Sequence, residues 1–200
     1  MAIALRNLNF AKWSISQFLN ELGSDAPCPG GGSAAALTGA VGVSLLEMTA
    51  RINLKRALKK NRLTIIRIQS LRSKLIKLAS LDARAFMKIS KLFKSKRESV
   101  EFQRALLQGA KVPYEICGRS CEALKFCLAE KSKTSAWLLS DLKEAGMLLR
   151  AAFSAGRLNV EINLKEMRDK KQVLRFETGL GRLAKECASL HAKLVGVSGE

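Results

Sequence analysis

One histidine, one tyrosine, two tryptophans and three prolines in 200 residues put several classes of chemistry out of reach. His191 stands alone near the C-terminal end, so no Ser/His/Asp or Cys/His arrangement can be assembled, and nucleophilic catalysis of that kind is not expected. The five cysteines (Cys28, Cys117, Cys121, Cys127 and Cys187) are odd in number and contain no CxxC pair, which speaks against a disulfide framework and against a zinc module. Cys117 and Cys121 share a helix face and read as buried structural thiols, so no metal and no dissociable cofactor are expected. Free thiols in this number suit a reducing cytoplasm. No apolar run reaches the roughly 20 residues that cross a bilayer. The most apolar tract, residues 34–46, is closed by Glu47, and the N-terminal stretch carries Arg6 and Lys12 where a signal peptide would have its apolar region. A membrane partner is not expected.

What is abundant points to helix. Hydrophobic residues make up 48% and charged residues 26% of the chain, a balance that buries a core and is wrong for disorder. Leu, Ala, Lys, Arg and Glu dominate, the side chains that lose least on entering a helix, while strand-like runs are scarce. The expected fold is all-α, a single-domain bundle of long helices spanning residues 1–200. The net charge of +18 calls for an anionic partner: nucleic acid, a membrane surface or a polyanionic small molecule. Aromatics at 6%, with no helix-turn-helix or recognition-loop signature, weigh against nucleic acid.

Along the chain, Ser14-Ile-Ser-Gln17 reads as a capping box, and Ile15, Phe18, Leu19 and Leu22 recur at helical spacing up to Gly23, a plausible C′ residue. Residues 24–33, with two prolines and three successive glycines, read as a loop. A helix is expected over 33–60, with Gly32, Ala36, Ala40 and Ser44 on one i, i+4 row beside Ala35 and Gly39. Small side chains let a neighbouring backbone come close, which places this helix at the centre. The next helix, 63–93, carries an apolar seam of Ile68, Leu71, Leu75, Leu78, Ala85, Phe86, Ile89 and Leu92. Further helices are expected over 98–130, kinked at Pro113, then 135–163 and 170–194, before a tail at 195–200.

Three features can carry chemistry. The loop Pro29, Gly30, Gly31, Gly32, Ser33 lets backbone amides approach a ligand, and the helix start behind it offers unpaired N–H groups and the positive end of the dipole. It lacks the Gly-Lys-Ser/Thr ending of a P-loop, and a flexible connector is the alternative reading. Asp82 falls where the seam asks for a hydrophobe. A carboxylate there must be paired or hydrogen-bonded, and burial raises its pKa toward the range useful for proton transfer; a structural ion pair is the alternative. Asp141 flanks the stripe Ala145, Leu148, Ala152, and Asn159 and Asn163 extend that helix face, where each can also cap backbone groups. The run Arg51, Lys55, Arg56, Lys59, Lys60, Arg62 is a basic face on the helix that follows the glycine loop.

The stretch Phe18-Leu-Asn-Glu-Leu-Gly-Ser-Asp-Ala-Pro-Cys-Pro-Gly-Gly-Gly-Ser-Ala-Ala-Ala-Leu37, followed by Met48, resembles the opening of the cyclodeaminase/cyclohydrolase family. Asp82-Ala-Arg-Ala-Phe86, Ala110-Lys-Val-Pro113, Ser140-Asp141 and Asn159-Val-Glu-Ile-Asn-Leu164 continue the likeness in the family's order. The resemblance implies a dimeric helical bundle acting on one-carbon derivatives of tetrahydrofolate. It would either close 5-formiminotetrahydrofolate to the 5,10-methenyl form with loss of ammonia, or interconvert the methenyl and 10-formyl forms with water. It further implies that residues 29–33 line the folate site and that Asp82 is the acid/base or cation-stabilising carboxylate. Asp141 and Asn159 would border the pocket, and Lys55 and Lys59 would attract the polyanionic glutamate tail. The chain departs from the family at Lys131-Ser-Lys-Thr-Ser-Ala-Trp137, where a Gly-Asn turn normally precedes the Ser-Asp pair. Two other readings stand beside this one: an inactive helical homologue kept for binding or assembly, and a basic nucleic-acid-binding helical protein.

Overall fold

The computed structural model describes residues 8–56, 62–93 and 97–196; Lys59, one of the expected tail-binding cations, lies outside them. Six α-helices follow one another: α1 (Ile15–Leu22), α2 (Gly31–Arg56), α3 (Arg62–Phe93), α4 (Val100–Lys131), α5 (Leu139–Lys165) and α6 (Lys170–Val195). Two short 3-10 turns, Phe10–Lys12 and Ala136–Leu138, precede α1 and α5, and no strand occurs among the described residues. The Ser14 cap expected from the sequence is present, and two further helix starts are capped by side chains. Ser14 Oγ accepts from the Gln17 N–H, Ser99 Oγ from the Phe102 N–H, and Asp169 from the N–H groups of Lys171 and Gln172. Gly196 closes α6 in the left-handed conformation, φ 82°, that glycine adopts without strain.

Helix α2 is a central element, packed on α3, α4 and α5. Its length and composition alone would suffice to cross a membrane, yet most of it is covered by protein, with Ala36, Val43 and Leu46 fully buried, as in the core helix of a bundle. Its small residues do the work expected of them. A β-carbon on Gly39 would meet Leu75 and Ala152 at 3.4 Å, and one on Gly42 would meet the Ala145 carbonyl at 3.0 Å. These contacts show α2 lying against α5 in antiparallel register. The expected row nevertheless drifts: Ser44 is exposed and its hydroxyl donates to Ala40 O at 2.8 Å. Each step of four residues overshoots a full turn by about 40°, so three steps carry the row off the buried face. The buried stripe passes to Val43 and Leu46 instead.

The start of α2 also differs from expectation. Gly31 and Gly32 are helical, and the Gly30 carbonyl accepts the first helical bond from the Ala34 N–H at 3.0 Å. Glycine loses about 1 kcal/mol against alanine inside a helix, so tertiary contact, described below, must favour it here. In α3 the seam holds at Ile68, Leu71, Leu75, Leu78 and Leu92, but Ala79 and Ala83 take its middle. Phe86 is 47% exposed instead of buried. The side chains that break the seam face a cavity.

Candidate functional site

That cavity, about 330 Å3, opens where the N-terminal end of α2 meets the C-terminal halves of α3 and α5 and the first half of α4. Asp82 forms the floor beside Gly32, Asn159 lies against Gly31 next to it, Cys28 and Gly30 line the same end, and Asn163 follows one turn further along α5. Phe86, Ile89, Phe93, Phe102, Leu106 and Ile162 make the remaining walls apolar. The result is a slot with polar groups at one end, the usual form of a site for a flat heterocycle.

Asp82 is held there by α2. The Ser33 hydroxyl, fully buried, lies 3.1 Å from Asp82 Oδ2 and 2.9 Å from Ala79 O, and the Ser33 backbone N–H also donates to the carboxylate. Asp82 thus serves an unpaired N–H in the first turn of α2, a capping residue supplied from another helix. Among the described residues no basic side chain lines the cavity and none pairs with Asp82. Burial pushes the Asp82 pKa up from 3.8 to about 6, and the two Ser33 donors pull it back only in part. Ser33 Oγ has one proton and two lone pairs. It can donate to ionised Asp82, or give its proton to Ala79 O and accept one from protonated Asp82. The neighbourhood therefore tolerates both protonation states. Burial, with smaller contributions from Glu21 and Asp82, likewise raises the Cys28 thiol, which leaves it a neutral wall.

The two asparagines are tied to backbone. Asn159 Nδ2 donates to Ala155 O at 2.8 Å, and Asn163 Nδ2 donates to Asn159 O at 2.7 Å and Gly109 O at 3.2 Å. At the mouth, Arg97 lies 4.6 Å above the Phe93 ring and 2.7 Å from Glu166 Oε2; Phe93 and Glu166 both line the cavity.

Of the residues singled out by sequence, the structure brings together Gly30, Gly31, Gly32, Ser33, Asp82 and Asn159. Pro29 sits between Cys28 and Gly30 at the same end, joined to Cys28 by a cis peptide. Asp141 and Lys55 are not brought to this cavity within the chain. Asp141 is in the first turn of α5, 18 residues before Asn159 and so roughly 27 Å along the helix. Lys55 is 24 residues past Gly31, roughly 36 Å away, in a separate basic cleft with Arg51 and Arg62. Motif order in sequence carries no information about which end of a helix a residue occupies, and antiparallel packing sends these two to the opposite end of the bundle.

Sequence reasoning missed the apolar walls, Arg97 and the full part of Asn163. Asn163 has a readable signal in Pro113, whose missing N–H leaves the Gly109 carbonyl in need of a donor.

Residues 14–180 match the formiminotransferase-cyclodeaminase family. The methenyltetrahydrofolate cyclohydrolase of Methylorubrum extorquens is 27% identical over 177 residues, covering 78% of this chain and 82% of that protein. The formimidoyltransferase-cyclodeaminase of Sus scrofa is 31% identical over 197 residues, 86% of this chain but only 35% of that longer protein. The crystal structure of formiminotetrahydrofolate cyclodeaminase from Thermotoga maritima superposes with a TM-score of 0.87 at 27% identity, covering 93% of this chain and 96% of that one.

Proposed function

This chain belongs to the formiminotransferase-cyclodeaminase family, and from that premise we propose that it is a folate-dependent cyclodeaminase or cyclohydrolase in which Asp82 moves the proton. The observation that carries the reading is a carboxyl titrating near pH 6, fixed by Ser33 at the floor of an apolar slot. Both chemistries need such a group. In ring closure, N10 adds to the formimino carbon and loses its proton, and the amino group leaves as ammonia only after gaining one. In the hydrolytic direction, water adds to the methenyl carbon and loses a proton; N5 then takes a proton as its bond to carbon breaks, and the hydroxyl gives up its own as it becomes the formyl C=O. A carboxyl near pH 6 is populated in both forms close to neutrality and can give or take that proton. Its ionised form also offsets the positive charge of the methenyl bridge.

The apolar walls suit the pterin and aminobenzoyl rings. We assign the glutamate tail to Arg97 at the mouth, where the substrate carboxylate would replace Glu166. We further propose that the chain acts in the cytoplasm as a homodimer. All five cysteines are free, as in a reducing compartment, and the outward face of α2 leaves Val41 54% exposed and Met48 37% exposed beside half-buried Leu37 and Leu45. An exposed apolar stripe on α2 is suited to cover by a second copy.

The assay that tests the function follows methenyl absorbance after addition of 5-formiminotetrahydrofolate, 10-formyltetrahydrofolate or 5,10-methenyltetrahydrofolate. Turnover of the first marks a cyclodeaminase, and turnover restricted to the other two marks a cyclohydrolase. No turnover of any, with folate still bound, would return the inactive-homologue reading.

A further inference from the structure

Pro113 lies inside α4 and has no N–H to give, so the carbonyl four residues earlier, Gly109, loses its helical donor. The side chain of Asn163 fills that gap from α5, 3.2 Å from Gly109 O and 2.7 Å from Asn159 O. Only the nitrogen end of an amide can face two carbonyl oxygens, so the orientation is fixed and Oδ1 turns the other way. Gly109 shows where it goes: a β-carbon there would lie 2.7 Å from Asn163 Oδ1 and 2.5 Å from Ile89 Cδ1. Asn159, one turn earlier, is oriented the same way by one N–H of its amide on Ala155 O. Among the described residues nothing donates to either Oδ1, and both side chains line the cavity. At Asn163, whose two N–H groups are both taken, the wall therefore offers only an acceptor.

We propose that Asn163, seconded by Asn159, is a specificity-determining acceptor that receives the N–H donors at the amino-bearing pyrimidine end of the reduced pterin. This rests on the folate reading above. Asn159 lies against Gly31, beside the floor where Asp82 would meet the reacting nitrogens. Asn163 is one turn further, roughly 6 Å along α5, and the 2-amino group is separated from N5 by about the width of the bicycle. A ring edge that presented an acceptor there would face a fixed carbonyl with no donor between them, which is how such a wall selects.

The test is calorimetry on wild type and Asn163→Ser with two probes, 5-formyltetrahydrofolate and its 2-desamino-2-methyl analogue. Serine can still bond back to the Asn159 carbonyl but withdraws the oxygen from the cavity. Wild type should bind the amino compound at least about 10-fold tighter than the analogue, the size of one good hydrogen bond, and Asn163→Ser should largely erase that preference. Pro113→Ala, which touches no ligand, should weaken the preference too, because it restores a donor to Gly109 O and frees the Asn163 amide. It gives the answer should Asn163→Ser fold poorly. An unchanged preference in both variants, with folate binding intact, overturns the assignment of Asn163 and leaves the folate reading standing. Wild type binding neither probe overturns both.

Discussion

A β-carbon on Gly32 would lie 2.6 Å from Oδ2 of Asp82 and nearer still to Oδ1, so the first turn of α2 and the carboxyl of α3 claim the same space. Glycine stands at position 32 because Asp82 is there. Gly32→Ala must therefore displace the carboxyl or the helix end. The fold should lose about 1–3 kcal/mol, as overpacked sites do, and turnover per folded molecule should fall at least about 100-fold. Circular dichroism melts beside the methenyl assay check both; a variant with normal turnover would mean that Asp82 tolerates displacement.

The raised pKa of Asp82 fixes a pH dependence. The folded state holds its proton up to about pH 6 and the unfolded chain releases it near 3.8. The folded state thus binds more protons between those values, and the contribution of this group to stability, complete below pH 3.8, declines as pH rises toward 6. Above pH 6 the ionised carboxylate is a net burden on the fold, of order 1–3 kcal/mol. Asp82→Asn should then melt at or above wild type at pH 7 and lose the advantage at pH 4. Melts of both proteins across that range would show the crossing, and a variant less stable at pH 7 would assign Asp82 to structure alone.

Arg97 provides a separate handle on substrate charge. Arg97→Gln should weaken binding of a polyglutamyl folate by about 5- to 10-fold, as for loss of a charge-assisted contact, with kcat nearly constant. Lys55→Gln, at the other end of α2, should matter less. A larger effect from Lys55 would show that the tail runs to a cleft contributed by another protomer.

Light scattering at micromolar concentration should give twice the 21.9 kDa of the chain. Val41→Lys, which places a charge on the exposed α2 stripe, should shift that mass toward the monomer without lowering the helix content. A wild-type monomer would contradict the assembly.

Much of this was legible in the residues themselves. Helical spacing and the cap at Ser14 give elements, and small side chains at Ala36, Gly39 and Ala40 give the central position of α2. Asp82 stood out because a carboxylate broke an apolar seam. What stayed hidden depends on partners distant in sequence. Gly32 looks like a loop residue until Asp82 occupies the space a side chain would need. Phe86 looks like core until the cavity opens beside it. Asp141 and Lys55 join the site only if helix direction is ignored, and direction is set by packing.

The central claim is that Asp82 carries the proton, and the most direct measurement is turnover of Asp82→Asn in the methenyl assay at pH 7, normalised to folded protein. The account predicts a fold at least as stable as wild type, unimpaired folate binding and turnover reduced about 100-fold or more, the size of a lost acid/base contribution. An Asp82→Asn protein that melts normally, binds folate and turns over at close to the wild-type rate would contradict it.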